Sequence, residues 1–113
     1  MTPLVRAQTE FAHDVGQLIL WVYEHPGWTV TFGEAQRPPE IAAIYASQDR
    51  GISKSLHIDR LAIDLNLWID GIWQTTTEAH QPLGAYWESL RPGNRWGGRF
   101  KRPDGNHYER NLL

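Results

Sequence analysis

A histidine and an aspartate stand seven positions apart in a stretch that otherwise has the pattern of a buried strand. From 61 to 68, apolar side chains occupy every second position, which predicts an extended strand with one core-facing side. Asp64 lies on the other side, and a buried carboxylate without a partner is energetically costly. His57, just upstream, indicates that this partner is a metal ion bound by both side chains. The core-facing residues of the strand are Leu61, Ile63, Leu65 and Leu67.

The separation of His57 and Asp64 carries a structural prediction. Because seven is odd, one regular strand would point the two side chains to opposite faces. A bend or bulge near Asp59 and Arg60 would bring them to the same face. A third ligand must come from elsewhere, and His107 is the obvious candidate. Two imidazoles, one carboxylate and one water make a catalytic zinc site, although five histidines and thirteen acids allow many such triples.

The composition narrows the possible classes of protein. The 113-residue chain is expected to form one domain, 1–113, with a single modest core. Its formal charge of −2 gives no electrostatic reason to expect nucleic acid binding. The absence of cysteine excludes disulfides and thiolate zinc sites. A transition-metal site must therefore use His, Asp and Glu, which favours a catalytic over a structural zinc.

The sequence predicts neither a membrane segment nor a secretory signal. No stretch approaches the ~20 consecutive apolar residues of a membrane span. The N-terminal residues lack a basic region followed by an apolar core. We therefore expect no membrane insertion, and we expect the chain to be made in the cytoplasm of the producing cell.

Helices and further strands are predicted on both sides of the central stretch. Thr2 as the N-cap and Pro3 at the first helical position predict a helix that ends near 25–27. Asp14 is assigned to the surface of that helix, and His80 to the solvated part of a later one. The other predicted elements are a strand over 28–36, a short helix over 39–48, a hairpin turn at Asp70 and Gly71, a returning strand over 72–74 and a helix over 79–90 capped by Thr77.

Several motifs, in order, resemble the zinc peptidases that cut bacterial cell-wall peptides. That superfamily contains the D-Ala-D-Ala carboxypeptidases and dipeptidases and the L-alanyl-D-glutamate endopeptidases. Its pattern is Ser-x-His-x-x-Gly-x-Ala-x-Asp, then an acidic residue three positions before the last histidine. The matching residues here are Ser55, His57, Ala62, Asp64, Asp104 and His107, with Arg60 in place of the glycine.

The likeness is greatest to the small phage endolysins of this superfamily. It extends through most of the chain, from the segment 33–40 through Leu83-Gly84-x-x-Trp87 and 96–100 to 107–109. The resemblance implies an α+β fold of the hedgehog/DD-peptidase kind. Helices would pack on one face of a small, mainly antiparallel sheet, and a zinc cleft would lie on the other.

The resemblance also assigns roles to individual residues. It makes His57, Asp64 and His107 the zinc ligands and Asp104 the general base. Arg37 would bind the scissile carbonyl oxygen, and Ser55 would help to hold the substrate. Glu109 is the rival for the base, but Asp104 has the position that the motif requires. Three tryptophans are left open between the wall of the groove and the core: Trp68, Trp73 and Trp96.

The implied function is zinc-dependent hydrolysis of an amide bond in a peptidoglycan stem peptide. The L-alanyl-D-glutamate bond fits the phage-like branch best, and D-Ala-D-Ala carboxypeptidase activity is the alternative. An alternative of another class is a zinc-containing module that binds the cell wall without cutting it. We expect a monomer with no nucleic acid partner, and an enzyme that reaches the wall through a separate holin-type pore.

Overall fold

The computed structural model describes residues 1–33 and 59–112, so the helix predicted over 39–48 lies outside the described residues. The described part is an α+β structure with a five-stranded sheet in which every pairing is antiparallel. The order along the sheet is β1-β2-β5-β4, and β3 also pairs with β2. The elements are α1 (Pro3–Tyr23), β1 (Trp28–Phe32), β2 (Ala62–Ile69), β3 (Ile72–Trp73), α2 (Gln81–Leu90), β4 (Asn94–Trp96) and β5 (His107–Arg110), with short 3-10 turns at Glu78–His80 and Gly97–Arg99.

The first helix begins and ends where the sequence predicts. The Thr2 hydroxyl accepts a hydrogen bond from the Val5 amide at 3.1 Å, and Pro3 occupies the first turn. The helix ends at Tyr23, shortly before Gly27, which has a φ of 82°. One stripe of this helix is buried in the core: Ala7, Phe11, Val15, Leu18 and Val22.

The central strand β2 presents its apolar side to both helices. Leu61, Ile63, Leu65 and Leu67 are all buried, which confirms the predicted alternation. They join one hydrophobic core that includes the α1 stripe together with Leu83 and Trp87 of α2. On the other side of the strand, Asp64, Asn66 and Trp68 are only half-buried. The predicted fold class, with helices over the apolar side of the sheet, is confirmed.

The hairpin after β2 has the predicted turn. Asp70 and Gly71 both have positive φ values, 50° and 77°. Two consecutive residues of this kind match the twist of antiparallel strands, and Asp-Gly is a preferred pair for the turn. The returning strand is short, with Ile72 and Trp73 paired to the end of β2.

Three predictions about individual side chains are wrong. Asp14 is buried, because it is bound by Arg91 from beyond α2. His80 is also buried: the Leu67 amide lies 3.4 Å from Nε2, and Nδ1 is 3.0 Å from the carbonyl oxygen of Thr76. The hydroxyl that caps the turn before α2 belongs to Thr76, which accepts from the Ala79 amide, and Thr77 makes no such bond.

Among the helices in the described part of the chain, none combines the length and the apolar character that crossing a membrane requires.

Candidate metal centre

The strand register brings two of the predicted ligands together. Asp64 in β2 is the direct partner of His107 in β5, although 43 residues separate them in the chain. Directly opposed positions of antiparallel strands place their side chains on the same face, with Cβ atoms about 4.5–5.5 Å apart. The Oδ1 atom of Asp64 lies 3.2 Å from Nδ1 of His107. The sheet itself therefore assembles this pair.

Asp104 joins the pair through a tight turn before β5. The Asp104 amide donates to the Gly97 carbonyl at 2.9 Å, and the His107 amide donates to the Asp104 carbonyl at 3.1 Å. A Cβ atom on Gly97 would lie 2.3 Å from that carbonyl oxygen of Asp104, so the turn requires glycine there. The Asp104 side chain is exposed, and its Oδ2 is 4.0 Å from Nδ1 of His107.

These three side chains form a donor set that suits a metal ion. One ligand atom from each of Asp64, Asp104 and His107 lies within 4.8 Å of the others. Imidazole nitrogen and carboxylate oxygen are the donors that zinc accepts in proteins without cysteine ligands. The residues present therefore fit the metal that the sequence predicts.

The remaining predicted site residues lie outside the described residues: His57, Arg37 and Ser55. Their roles stay predictions. The bend predicted between His57 and Asp64 is present, because Asp59 and Arg60 form a turn immediately before β2. Arg60 has a φ of 58°, in the left-handed region that glycine adopts at little cost. This conformation explains why a glycine suits the position in the motif.

Glu109 contacts the opposite side of the His107 ring. Its Oε1 atom is 2.7 Å from Nε2 of His107, and Arg95 binds the other oxygen. The Glu109 side chain is buried, whereas Asp104 is exposed at the cleft. Both oxygens of Glu109 are thus engaged, which makes it a poor candidate for a base that must reach a substrate.

The pKa of His107 reports how strongly the carboxylates act on it. Burial lowers the pKa, but the hydrogen bonds with Asp64 and Glu109 outweigh it and raise the pKa to about 9. Burial acts in the opposite sense on Glu109, yet the bonds from His107 and Arg95 hold its pKa below the usual range. The metal-free protein therefore holds an imidazolium between two carboxylates at neutral pH. Metal binding at Nδ1 must release that proton.

A polar cavity of about 300 Å³ adjoins Asp104. Its walls include Thr75, Thr76 and the amide pair formed by Asn66 and Asn106, in which Nδ2 of Asn106 donates to Oδ1 of Asn66 at 3.0 Å. None of the described residues that line it is a lysine or an arginine. Sequence reasoning did not assign this amide pair a role, although Asn66 follows Asp64 by two positions and therefore shares its face.

The three candidate tryptophans have different environments in the structure. Trp73 lines the cavity and is exposed, so it remains a candidate for the groove wall. Trp68 is half-buried and donates its indole N–H to the Thr31 hydroxyl at 3.0 Å. Trp96 belongs to the core, where its ring packs against Gly84 and Gly98 so closely that neither has room for a Cβ.

Comparison with known proteins identifies the family. A sequence profile described as D-alanyl-D-alanine carboxypeptidase matches residues 48–110, more than half of the chain. The chain belongs to this family. It is therefore a metallopeptidase of the class that hydrolyses peptidoglycan, and the superfamily predicted from the motifs is confirmed. A search of curated proteins gives no match.

A solved structure shares the fold. The crystal structure of the Serratia marcescens L-Ala D-Glu endopeptidase ChiX superposes with a TM-score of 0.77. The alignment covers 92% of this chain and 80% of that one, at 13% sequence identity. At this level of identity, the likeness shows that the two chains have the same architecture.

Proposed function

We propose that this chain is a zinc-dependent peptidase that hydrolyses the L-alanyl-D-glutamate bond of peptidoglycan stem peptides. The observation that carries the proposal is the pairing of Asp64 with His107 across two strands, with the exposed Asp104 beside them. Family membership supports the class of substrate. The shared fold with an L-Ala D-Glu endopeptidase supports the choice of bond.

In this proposal, Asp64 and Nδ1 of His107 hold the zinc ion, and His57 completes the ligand set as the motif implies. Bound zinc supplies Lewis acidity and an activated water. The buried half of the centre keeps the ligands in place: the Asp64 side chain is 17% exposed and that of His107 is 9% exposed. Asp104 is the exposed member of the centre, and it also lines the cavity.

Asp104 then acts as the general base. Its side chain is 56% exposed and its Oδ2 lies 4.0 Å from Nδ1 of His107, so it lies beside a residue that would hold the metal and is open to solvent. Such a carboxylate accepts the proton of the attacking water and returns it to the leaving amine, a contribution of about 10²–10⁴-fold in rate. Arg37 would hold the scissile carbonyl oxygen and Ser55 the substrate, in the positions that the motif gives them.

The cavity beside Asp104 offers polar groups to a peptide substrate. Its described walls offer hydroxyls, amides and the exposed Trp73 ring, but no cationic side chain. The uncharged, amide-rich muramyl-L-alanine side of the stem peptide suits these walls.

The test combines metal analysis with mass spectrometry of digested muropeptides. Wild type should hold stoichiometric zinc and produce fragments with new L-alanine carboxyl ends. His107→Ala should lose both zinc and activity. Asp104→Asn should keep zinc while hydrolysis falls at least about 10²-fold. Glu24→Gln, an exposed acid outside the centre, serves as the control and should behave as wild type.

Other outcomes separate the alternatives. Release of free D-alanine would indicate the carboxypeptidase. Zinc retention and cosedimentation with peptidoglycan, without any new amino groups, would indicate a wall-binding module. Wild type without stoichiometric zinc, or Asp104→Asn that cuts as fast as wild type, would overturn the proposal.

We further propose that the enzyme acts as a monomeric phage-type endolysin, made in the cytoplasm and released through a holin-type pore. The ordered motifs shared with small phage endolysins support this role. Expression in a bacterial host should lyse the cells only when a holin is co-expressed, and His107→Ala should abolish that lysis. Lysis without a holin would contradict the proposed route.

A further inference from the structure

Both ring nitrogens of His107 face carboxylates. Its Nδ1 atom faces Asp64 at 3.2 Å and Asp104 at 4.0 Å, and its Nε2 atom faces Glu109 at 2.7 Å. His107 and Glu109 are two positions apart on β5, so they share a face of the sheet. Among the described residues, the candidate donor set contains Asp64 and Asp104, which lie near Nδ1, and does not contain Glu109.

Glu109 is itself held in place. Arg95 is its register partner on β4, and the Arg95 guanidinium binds the Glu109 oxygen that His107 does not use. Arg95, Glu109 and His107 thus form a series of contacts, and the Phe100 ring packs near both of its ends. The Phe100 ring centroid lies 5.9 Å from the Arg95 guanidinium carbon and 5.6 Å from the His107 ring centroid. Glu109 is 6% exposed. The acceptor for Nε2 is therefore fixed before any metal binds.

We propose that Glu109 is a positioning residue of the metal centre. By accepting the Nε2–H of His107, it leaves Nδ1, with its lone pair, as the atom that binds the metal. Arg95 holds the Glu109 carboxylate in the position that this requires. The inference rests on the proposed function, because it takes His107 as a ligand. Carboxylates that accept from a ligand imidazole fix the ring and raise its basicity, and their loss costs about 10–100-fold in metal affinity or activity.

The test measures zinc affinity in variants that keep the shape of the site. Glu109→Gln retains the size of the side chain but removes its charge. Titration of zinc against a chelating indicator should show a dissociation constant about 10–100-fold above that of wild type. Arg95→Gln leaves Glu109 in place but less firmly held, so it should show a smaller loss of affinity. If Glu109→Gln does not fold, the zinc affinity of Arg95→Gln tests the inference instead.

Glu88→Gln is the matched control. Glu88 forms an ion pair with Arg99 at 2.7 Å, outside the metal centre, and its substitution should leave zinc affinity unchanged. A second measurement is the ¹⁵N spectrum of His107 in zinc-loaded wild type, which should show a metal-bound Nδ1 and a protonated Nε2. A residue that only stabilised the fold would not determine which nitrogen binds the metal.

Two results would overturn the inference: unchanged zinc affinity in folded Glu109→Gln and Arg95→Gln, or coordination of zinc through Nε2 in wild type. Both leave the proposed function intact, because zinc still binds. Wild type that binds no zinc would instead overturn the proposed function, and this inference with it.

Discussion

Two buried ionic clusters in the described part of the chain differ in the cation that neutralises their carboxylates. In the first, Asp14 of α1 accepts hydrogen bonds from Nε of Arg91 at 2.8 Å and Nδ2 of Asn94 at 3.2 Å. In the second, Asp64 and Glu109 lie on either side of His107. The first cation is permanent, since arginine does not lose its proton in proteins. The second can exchange its proton for a metal ion.

This difference separates the stability of the fold from the chemistry of the site. A buried carboxylate bound to arginine links α1 to the segment after α2 over a separation of 77 residues, and its charge state does not change near neutral pH. A protonated imidazole between carboxylates also stabilises the fold, but a metal ion can replace its proton at Nδ1. The predictions for Asp14 and His107 each perturb one cluster and use the other as the reference.

The largest effect is expected for Asp14→Ala. The substitution removes the carboxylate that binds Arg91 and Asn94, although Arg91 keeps Glu10 and Asn94 keeps the Trp87 carbonyl as acceptors. Removing one partner of a buried pair typically costs about 3–5 kcal/mol. Because the Arg91 side chain is 29% exposed, we expect a loss of about 3 kcal/mol in the free energy of unfolding, measured by urea denaturation. Zinc affinity of the folded variant should be unchanged.

The more exposed Glu88–Arg99 pair provides the comparison for Asp14. Exposed ion pairs contribute about 0–1 kcal/mol. Glu88→Ala removes such a pair together with the hydrogen bond from the Trp96 amide, so it should cost less than Asp14→Ala. An Asp14→Ala variant as stable as Glu88→Ala would contradict the structural role of the first cluster.

An intermediate effect is expected from pH in the metal-free protein. The folded pKa of His107 is about 9, against 6.5 for an unperturbed histidine. The imidazolium therefore stabilises the fold fully below pH 6.5, and this stabilisation is lost as pH rises to 9. Urea denaturation with a chelator present should show stability falling across this range. His107→Gln should remove that dependence.

The first cluster should respond at the opposite end of the pH scale. Burial raises the pKa of Asp14, but hydrogen bonds led by the one from Arg91 outweigh burial and hold the pKa below the ordinary aspartate value of 3.8. Its stabilisation is thus present above pH 3.8 and is lost as pH falls below that value.

For the prediction on His107, stability of His107→Gln that still declined between pH 6.5 and 9 would show that another group causes the alkaline loss.

The smallest effect is expected for Arg60→Gly, at the turn that leads into the strand carrying Asp64. The left-handed φ of 58° costs a non-glycine residue roughly 1–2 kcal/mol, and the added freedom of glycine in the unfolded chain offsets about half of that. We expect a gain of about 0.5 kcal/mol by urea denaturation. Asp59→Gly, one position earlier, should destabilise instead. A loss of stability in Arg60→Gly would contradict this account of the turn.

Much of the fold follows from local patterns in the sequence. The cap at Thr2, the alternation along β2 and the Asp-Gly turn were each predicted and are each present, because neighbouring residues determine them. The bend at Asp59 and Arg60 was also predicted, from the parity of the spacing between two candidate ligands. The motif indicated the superfamily to which the chain belongs, and the profile match confirms it.

The tertiary structure decided what depends on distant partners. Asp14 and His80 have polar side chains, and nothing near them in the sequence indicates that Arg91 and the Leu67 amide would compensate their burial. The same holds for Glu109, whose role depends on the strand that brings Arg95 beside it. The sequence by itself indicated which residues carry the donor groups expected of a metallopeptidase. Only the register of β2 with β5 decided that Asp64 meets His107, because pairing between strands is a property of the whole sheet.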